Sequence, residues 1–179
     1  YYAHGLGREL LGEYDANTAV YETVYLGSLP IAALKAGQTY WIDADQIYTP
    51  RSIRNASDQV VWRWDSEAFG STPASENPSG LGAFEYNPRF PGQVYDGDTG
   101  LHYNDQRDYS PAIGRYVQSD PIGLAGGINT YAYVDNQPTL EVDPEGLQGR
   151  AAPPRLNPNV ISNAQANNLI NQIQQINPG

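Results

Sequence analysis

The sequence predicts an all-β fold, a meander of short antiparallel strands. Three observations point to it. Turn signals recur roughly every ten residues through the first 92 positions, the spacing of consecutive hairpins. Fourteen Tyr, three Trp and three Phe stand against only 17% charged residues, and such side chains suit a pleated, half-buried surface better than a helix. Eighteen Gly and fourteen Pro supply the breaks between strands.

Taken in order, the candidate turns are Gly5-Leu6-Gly7, Asp15-Ala16-Asn17, Gly27-Ser28, Ala36-Gly37 and Asn55-Ala56-Ser57-Asp58. Between them, Ala19 to Leu26 sets Val20, Glu22 and Val24 against Tyr21, Thr23 and Tyr25, the period of two that a strand requires. Gln38 to Asp43 and Gln59 to Asp65 read as further strands, the second with Trp62 and Trp64 on one face. Residues 70–92 hold Pro73, Pro78, Pro88, Pro91 and several glycines, too many breakers for regular structure, so a long loop is expected. Strands resume at Gln93 to Tyr95, turn through Asp96-Gly97-Asp98-Thr99-Gly100 and return over Leu101 to Asn104, an Asp-Gly hairpin.

The composition changes after Leu147. All 20 acidic residues lie within 1–147, whereas 148–179 carries only Arg150 and Arg155. Gly149 and Pro153-Pro154 read as an extended linker. Ser162-Asn163-Ala164-Gln165 then matches a capping box, and Ile161, Leu169, Ile173 and Ile176 recur at helical spacing until Asn177-Pro178-Gly179. A short C-terminal amphipathic helix is expected there, too short to stand alone in water.

A net charge of −10 argues against binding nucleic acid or anionic lipid, both of which need clustered Lys and Arg. No stretch is long and apolar enough to span a membrane as a helix. The chain begins at Tyr1, which suggests a piece of something longer. With no Cys there is neither a disulfide framework nor a thiolate metal site. Asp43-Ala44-Asp45 and Asp96-Gly97-Asp98 lack the acidic count of a calcium loop, and His4 and His102 stand apart from any second ligand motif. No metal and no cofactor is expected.

Two Asp-Pro-x-Gly-Leu motifs remain: Asp120-Pro121-Ile122-Gly123-Leu124 and Asp143-Pro144-Glu145-Gly146-Leu147. Proline pre-sets the backbone angle of such a turn, and glycine is free to take positive φ. From spacing alone the two aspartates read more readily as turn formers than as catalysts. Paired carboxylates sharing one proton would nonetheless suffice to hydrolyse a peptide, one activating water and one serving the leaving nitrogen.

Together with Tyr95-Asp96-Gly97-Asp98-Thr99-Gly100-Leu101-His102-Tyr103-Asn104, Arg107-Asp108-Tyr109, Gly114-Arg115-Tyr116 and Gly126-Gly127-Ile128-Asn129-Thr130-Tyr131-Ala132-Tyr133, these motifs resemble the Rhs repeat-associated core domain. That domain ends the β-cocoon of rearrangement-hotspot polymorphic toxins and of the C components of ABC toxins. Gly5-Leu6-Gly7-Arg8-Glu9-Leu10 and Glu13-Tyr14-Asp15 resemble degenerate YD repeats. The resemblance implies three parts: a YD-repeat shell over 1–92, a core that plugs it over 93–147, and from 148 onward the linker and start of a C-terminal toxin. It also implies self-cleavage after Leu147, at Leu147-Gln148. Asp120 and Asp143 map onto the catalytic pair, and Arg107 and Arg115 onto the family arginines. One departure is Tyr109-Ser110-Pro111, where the family commonly has Tyr-Asp-Pro.

The partners so implied are the rest of the shell and the toxin segment, with a secretion-system spike or an immunity protein beyond them, in a secreted effector. Two other readings stand beside this one: an encapsulating shell that never cuts, and a secreted β-module that binds carbohydrate through its aromatic residues.

Overall fold

The structure, a computed structural model, describes residues 2–5, 10–16 and 18–154. The expected C-terminal helix lies outside these residues, as does most of the Gly5-Leu6-Gly7 turn. What is described is built from antiparallel strands, with two single-turn 3₁₀ segments at Gly123–Gly126 and Val134–Asn136.

Seven strands form the first sheet in sequence order: β1 (Tyr2–His4), β2 (Leu10–Asp15), β3 (Thr18–Leu26), β4 (Leu29–Lys35), β5 (Gln38–Ala44), β6 (Pro50–Arg54) and β7 (Val60–Arg63). Every neighbour pair is a hairpin. Ala16 and Ala36 take positive φ at their turns, with Gly27 and Gly37 doing so where no side chain is needed. The register aligns Thr23, Ala33 and Tyr40 across β3 to β5, and Ile42, Ile53 and Trp62 across β5 to β7. These rows face the main core together with Tyr21. On the opposite face Val24, Ala32 and Trp41 form a smaller cluster, so both faces carry aromatic residues as the alternation predicts.

The second sheet is a four-stranded meander, β8 (Val94–Tyr95), β9 (His102–Asn104), β10 (Arg107–Ser110) and β11 (Arg115–Tyr116). The Asp-Gly hairpin is present with Val94 opposite Tyr103. Finally β12 (Glu141–Val142) pairs with β13 (Arg150–Ala151). This differs from the extended linker expected after Gly149: two residues pair back as a strand before Pro153 ends the possibility.

The breaker-rich segment 70–92 has no regular strand; residues 71–83 are mostly exposed, and from Phe84 the chain turns into the core. Phe84, Tyr86 and Phe90 are buried, and they join Trp62, Trp64, Tyr109, Tyr116 and Tyr133 in one core that spans the first two sheets. Arg89 is buried among them, its guanidinium 5.6, 5.3 and 4.8 Å from the rings of Trp62, Trp64 and Tyr95. Its Nη1 donates to the Tyr86 and Pro88 carbonyls, and burial pulls its pKa down to about 10.

Candidate active site around Arg107

The β9–β10 hairpin turns in two residues, with Asp105 at positive φ, so Asn104 and Arg107 sit opposite one another. Alternation along β10 then points Arg107 and Tyr109 inward. Tyr116 of β11 pairs with Tyr109 and is buried. This surface receives the second motif, since Asp143 directly follows β12.

Each motif folds as a tight turn in which the glycine N–H donates to the aspartate carbonyl, at 3.0 Å for Gly123 and 3.3 Å for Gly146. Gly123 and Gly146 both take positive φ, as the turn chemistry requires. The side chains differ. Asp120 Oδ1 accepts the Ile122 N–H at 2.9 Å. Asp143 Oδ1 reaches further and accepts the N–H groups of both Leu147 and Gln148, at 3.0 and 3.1 Å. Only Asp143 stands at a strand end; Asp120 lies in the loop after β11, its own N–H donated to the Thr130 carbonyl.

Arg107 joins the two. Its Nη1 lies 2.9 Å from Asp120 Oδ2 and its Nη2 lies 3.2 Å from Asp143 Oδ2, with all three side chains almost wholly buried. Nε donates to the Gly146 carbonyl at 2.6 Å and Nη1 to that of Thr130 at 3.2 Å. The guanidinium stacks 3.6 Å above the Tyr116 ring. It therefore spans both carboxylates with separate nitrogens instead of clamping one bidentately.

The Leu147-Gln148 peptide lies against this trio. Its nitrogen donates to Asp143 Oδ1, and its carbonyl oxygen and Asp120 Oδ2 both border Gly126. A Cβ on Gly126 would collide with Asp120 Oδ2 and lie 2.8 Å from the Leu147 oxygen. A cleft of about 240 Å³ opens here, lined in part by Arg107, Gly126, Asp143, Leu147 and Gln148, and Gln148 is exposed. Among the described residues no group of three or more His, Asp or Glu is placed to hold a metal.

The Teneurin YD-shell family model matches residues 11–139, more than half of the chain. The chain belongs to the YD-shell family. It is 37% identical over 121 residues to double-stranded DNA deaminase toxin A of Burkholderia cenocepacia, and 38% identical over 118 residues to the probable deoxyribonuclease RhsB of Dickeya dadantii. These matches cover 68% and 64% of this chain but only 8% of each relative. A crystal structure of TcdB2-TccC3 without its hypervariable C-terminal region aligns with a TM-score of 0.58 at 25% identity, over 74% of this chain and 7% of that one.

The YD-shell model takes in Arg107, Arg115 and Asp120 and ends before Asp143 and Leu147. Of the residues singled out in the sequence, the structure brings together Arg107, Asp120, Asp143, Leu147 and Gln148. Arg115 is not among them: it lies exposed on β11, paired with Ser110. Its neighbour Tyr116 turns inward instead, and adjacent strand residues face opposite ways. Tyr116, Asn104 and Gly126 belong to the site but were assigned no role in the sequence. Only Tyr116 left a signal, an aromatic residue beside an arginine on a strand that can bury one of them.

Proposed function

We propose that this YD-shell segment is the C-terminal end of a bacterial Rhs-type toxin shell that encloses a C-terminal effector and cuts its own chain between Leu147 and Gln148. The observation that carries this reading is the placement of that one peptide bond, with its nitrogen on Asp143 Oδ1 and its carbonyl oxygen, like Asp120 Oδ2, against Gly126. The similarity to named toxins, at positions that make up a small part of each, supports the setting: a secreted effector whose toxic activity lies outside this segment.

In this reading the reaction is a hydrolysis by two carboxylates. One guanidinium between two aspartates leaves one negative charge uncompensated in a buried site, and a single proton makes the trio neutral. Asp120 serves as the general acid toward the Leu147 carbonyl oxygen. Asp143 takes a proton from a water that attacks the Leu147 carbonyl carbon, and then delivers it to the Gln148 nitrogen as the C–N bond breaks. Asp120 recovers the proton it lent to the Leu147 oxygen as the bond breaks, leaving a carboxylic acid at Leu147 and an amine at Gln148. Arg107 holds both acids in place and offsets the developing charge.

Asp120→Asn and Asp143→Asn in the full-length protein test this. Each keeps the shape of the side chain, so the expected result is a single uncut chain with unchanged secondary structure. Cutting at the wild-type rate in both variants would rule the mechanism out.

A further inference from the structure

Asp143 is held from a side that the two-carboxylate reaction does not require. The Tyr116 hydroxyl donates to Asp143 Oδ2 at 2.8 Å. Asn104 Nδ2 donates to the Tyr116 oxygen at 2.7 Å and to the Asp143 backbone carbonyl at 2.9 Å. A carbonyl oxygen only accepts, so the amide nitrogen of Asn104 must face it, and the orientation of that side chain is fixed. The Tyr116 oxygen, already accepting from Asn104, has its single hydrogen left for Asp143.

We infer that Tyr116, oriented by Asn104, is the positioning residue that aims Asp143 Oδ1 at the bond to be cut. The inference rests on the self-cleavage reading above. With Oδ2 held by the Tyr116 hydroxyl and Arg107 Nη2, the carboxylate cannot rotate, and Oδ1 stays on the Leu147 and Gln148 amides. Burial, and secondly the charge of Asp143, push the Tyr116 hydroxyl well above its ordinary range, so it remains a donor at any pH at which the protein works.

Both residues sit where the hairpin geometry delivers them. Asn104 is the register partner of Arg107, and Tyr116 pairs with Tyr109 two residues along the same strand, so three neighbouring strands of one sheet present Asn104, Arg107 and Tyr116. The charged and titratable groups around Asp143 are Arg107 from β10, Tyr116 from β11, Tyr133 from the following loop, and Asp120 across Arg107.

Tyr116→Phe in the full-length protein tests the inference, because the ring under Arg107 and its packing are retained. The first-order appearance of the fragment beginning at Gln148, followed over a pH series, is expected to slow roughly tenfold to a hundredfold, the size of a lost hydrogen bond to a charged group. The acid limb of the rate profile is expected to move to higher pH, because the carboxylate has lost a donor that favours its charged form. A wild-type rate with an unmoved limb overturns the inference and leaves the cut itself standing. A slower cut with an unmoved limb and a lower unfolding midpoint also overturns it, since the hydroxyl then serves only the fold. If wild-type protein is not cut at all, the self-cleavage reading fails and takes this one with it. Should Tyr116→Phe not fold, Asn104→Ala, which frees the hydroxyl to turn away, carries the same expectation.

Discussion

A methyl group on Gly126 would collide with the Asp120 carboxylate and crowd the Leu147 carbonyl oxygen. The position needs no left-handed backbone, so the requirement is for room alone, and Gly126→Ala is expected to slow the cut at least tenfold, about 1.4 kcal/mol of barrier. Gly123 lies in the same 3₁₀ turn with φ +59 and nothing within 4 Å of an added Cβ. Gly123→Asn, which tolerates that φ, is therefore expected to cut normally; the two time courses side by side check the contrast. Arg107 gives a second residue-scale prediction. Its removal strands two buried carboxylates, and Arg107→Ala is expected to cost about 3–5 kcal/mol, measured as a fall in urea midpoint. Arg107→Lys keeps the charge but cannot place separate nitrogens on both acids, so it should recover part of the stability and little of the cut. Which of Arg115 and Tyr116 faces inward was not legible in the sequence, because alternation fixes that the two differ and leaves the choice to the packing around Tyr109.

The β8–β9 hairpin was legible because its Asp-Gly turn is local chemistry. Its buried histidine was not. His102 packs against Trp64, Tyr95 and Tyr109, with Nδ1 2.8 Å from Gln93 Oε1. Burial first, and the nearby Arg89 second, lower its pKa to about 3. The unfolded chain takes up a proton near pH 6.5 that the folded hairpin refuses, so stability is full above that pH and is lost progressively as pH falls toward 3. His102→Phe keeps an aromatic ring and removes the titration; the difference in its urea midpoint between neutral and mildly acid solution is expected to be smaller than in the wild type. An equal difference would remove His102 as the cause. The segment 70–92 shows the opposite limit of local signals. Its prolines and glycines correctly predict irregular backbone, yet Phe84, Tyr86 and Phe90 enter the core through contacts with residues far along the chain. Strand β13 is likewise set by its partner β12, since nothing in Arg150-Ala151 itself signals a strand.

At the scale of the whole molecule, the seven-stranded meander runs in sequence order from β1 to β7, and among the described residues its outermost strand β1 has one sheet neighbour. An edge of this kind invites pairing with another chain, and in an enclosing shell the neighbouring repeats would cover it. Light scattering of the isolated segment is therefore expected to show association that grows with concentration; a monodisperse monomer would count against the shell reading. The meander and the hairpins were legible because each is a local turn between alternating strands. The site was legible only in part, since Arg107, Asp120 and Asp143 are distant in sequence and meet through the packing of separate strands and loops. Self-cleavage by this assembly means hydrolysis of one bond of its own chain. Intact mass measurement of the full-length protein made in water enriched in heavy oxygen tests it most directly. Two fragments are expected, one ending at Leu147 with a single heavy oxygen in its new carboxylate and one beginning at Gln148, both absent from Asp143→Asn. An uncut wild-type chain, or a cut at any other bond, would contradict it.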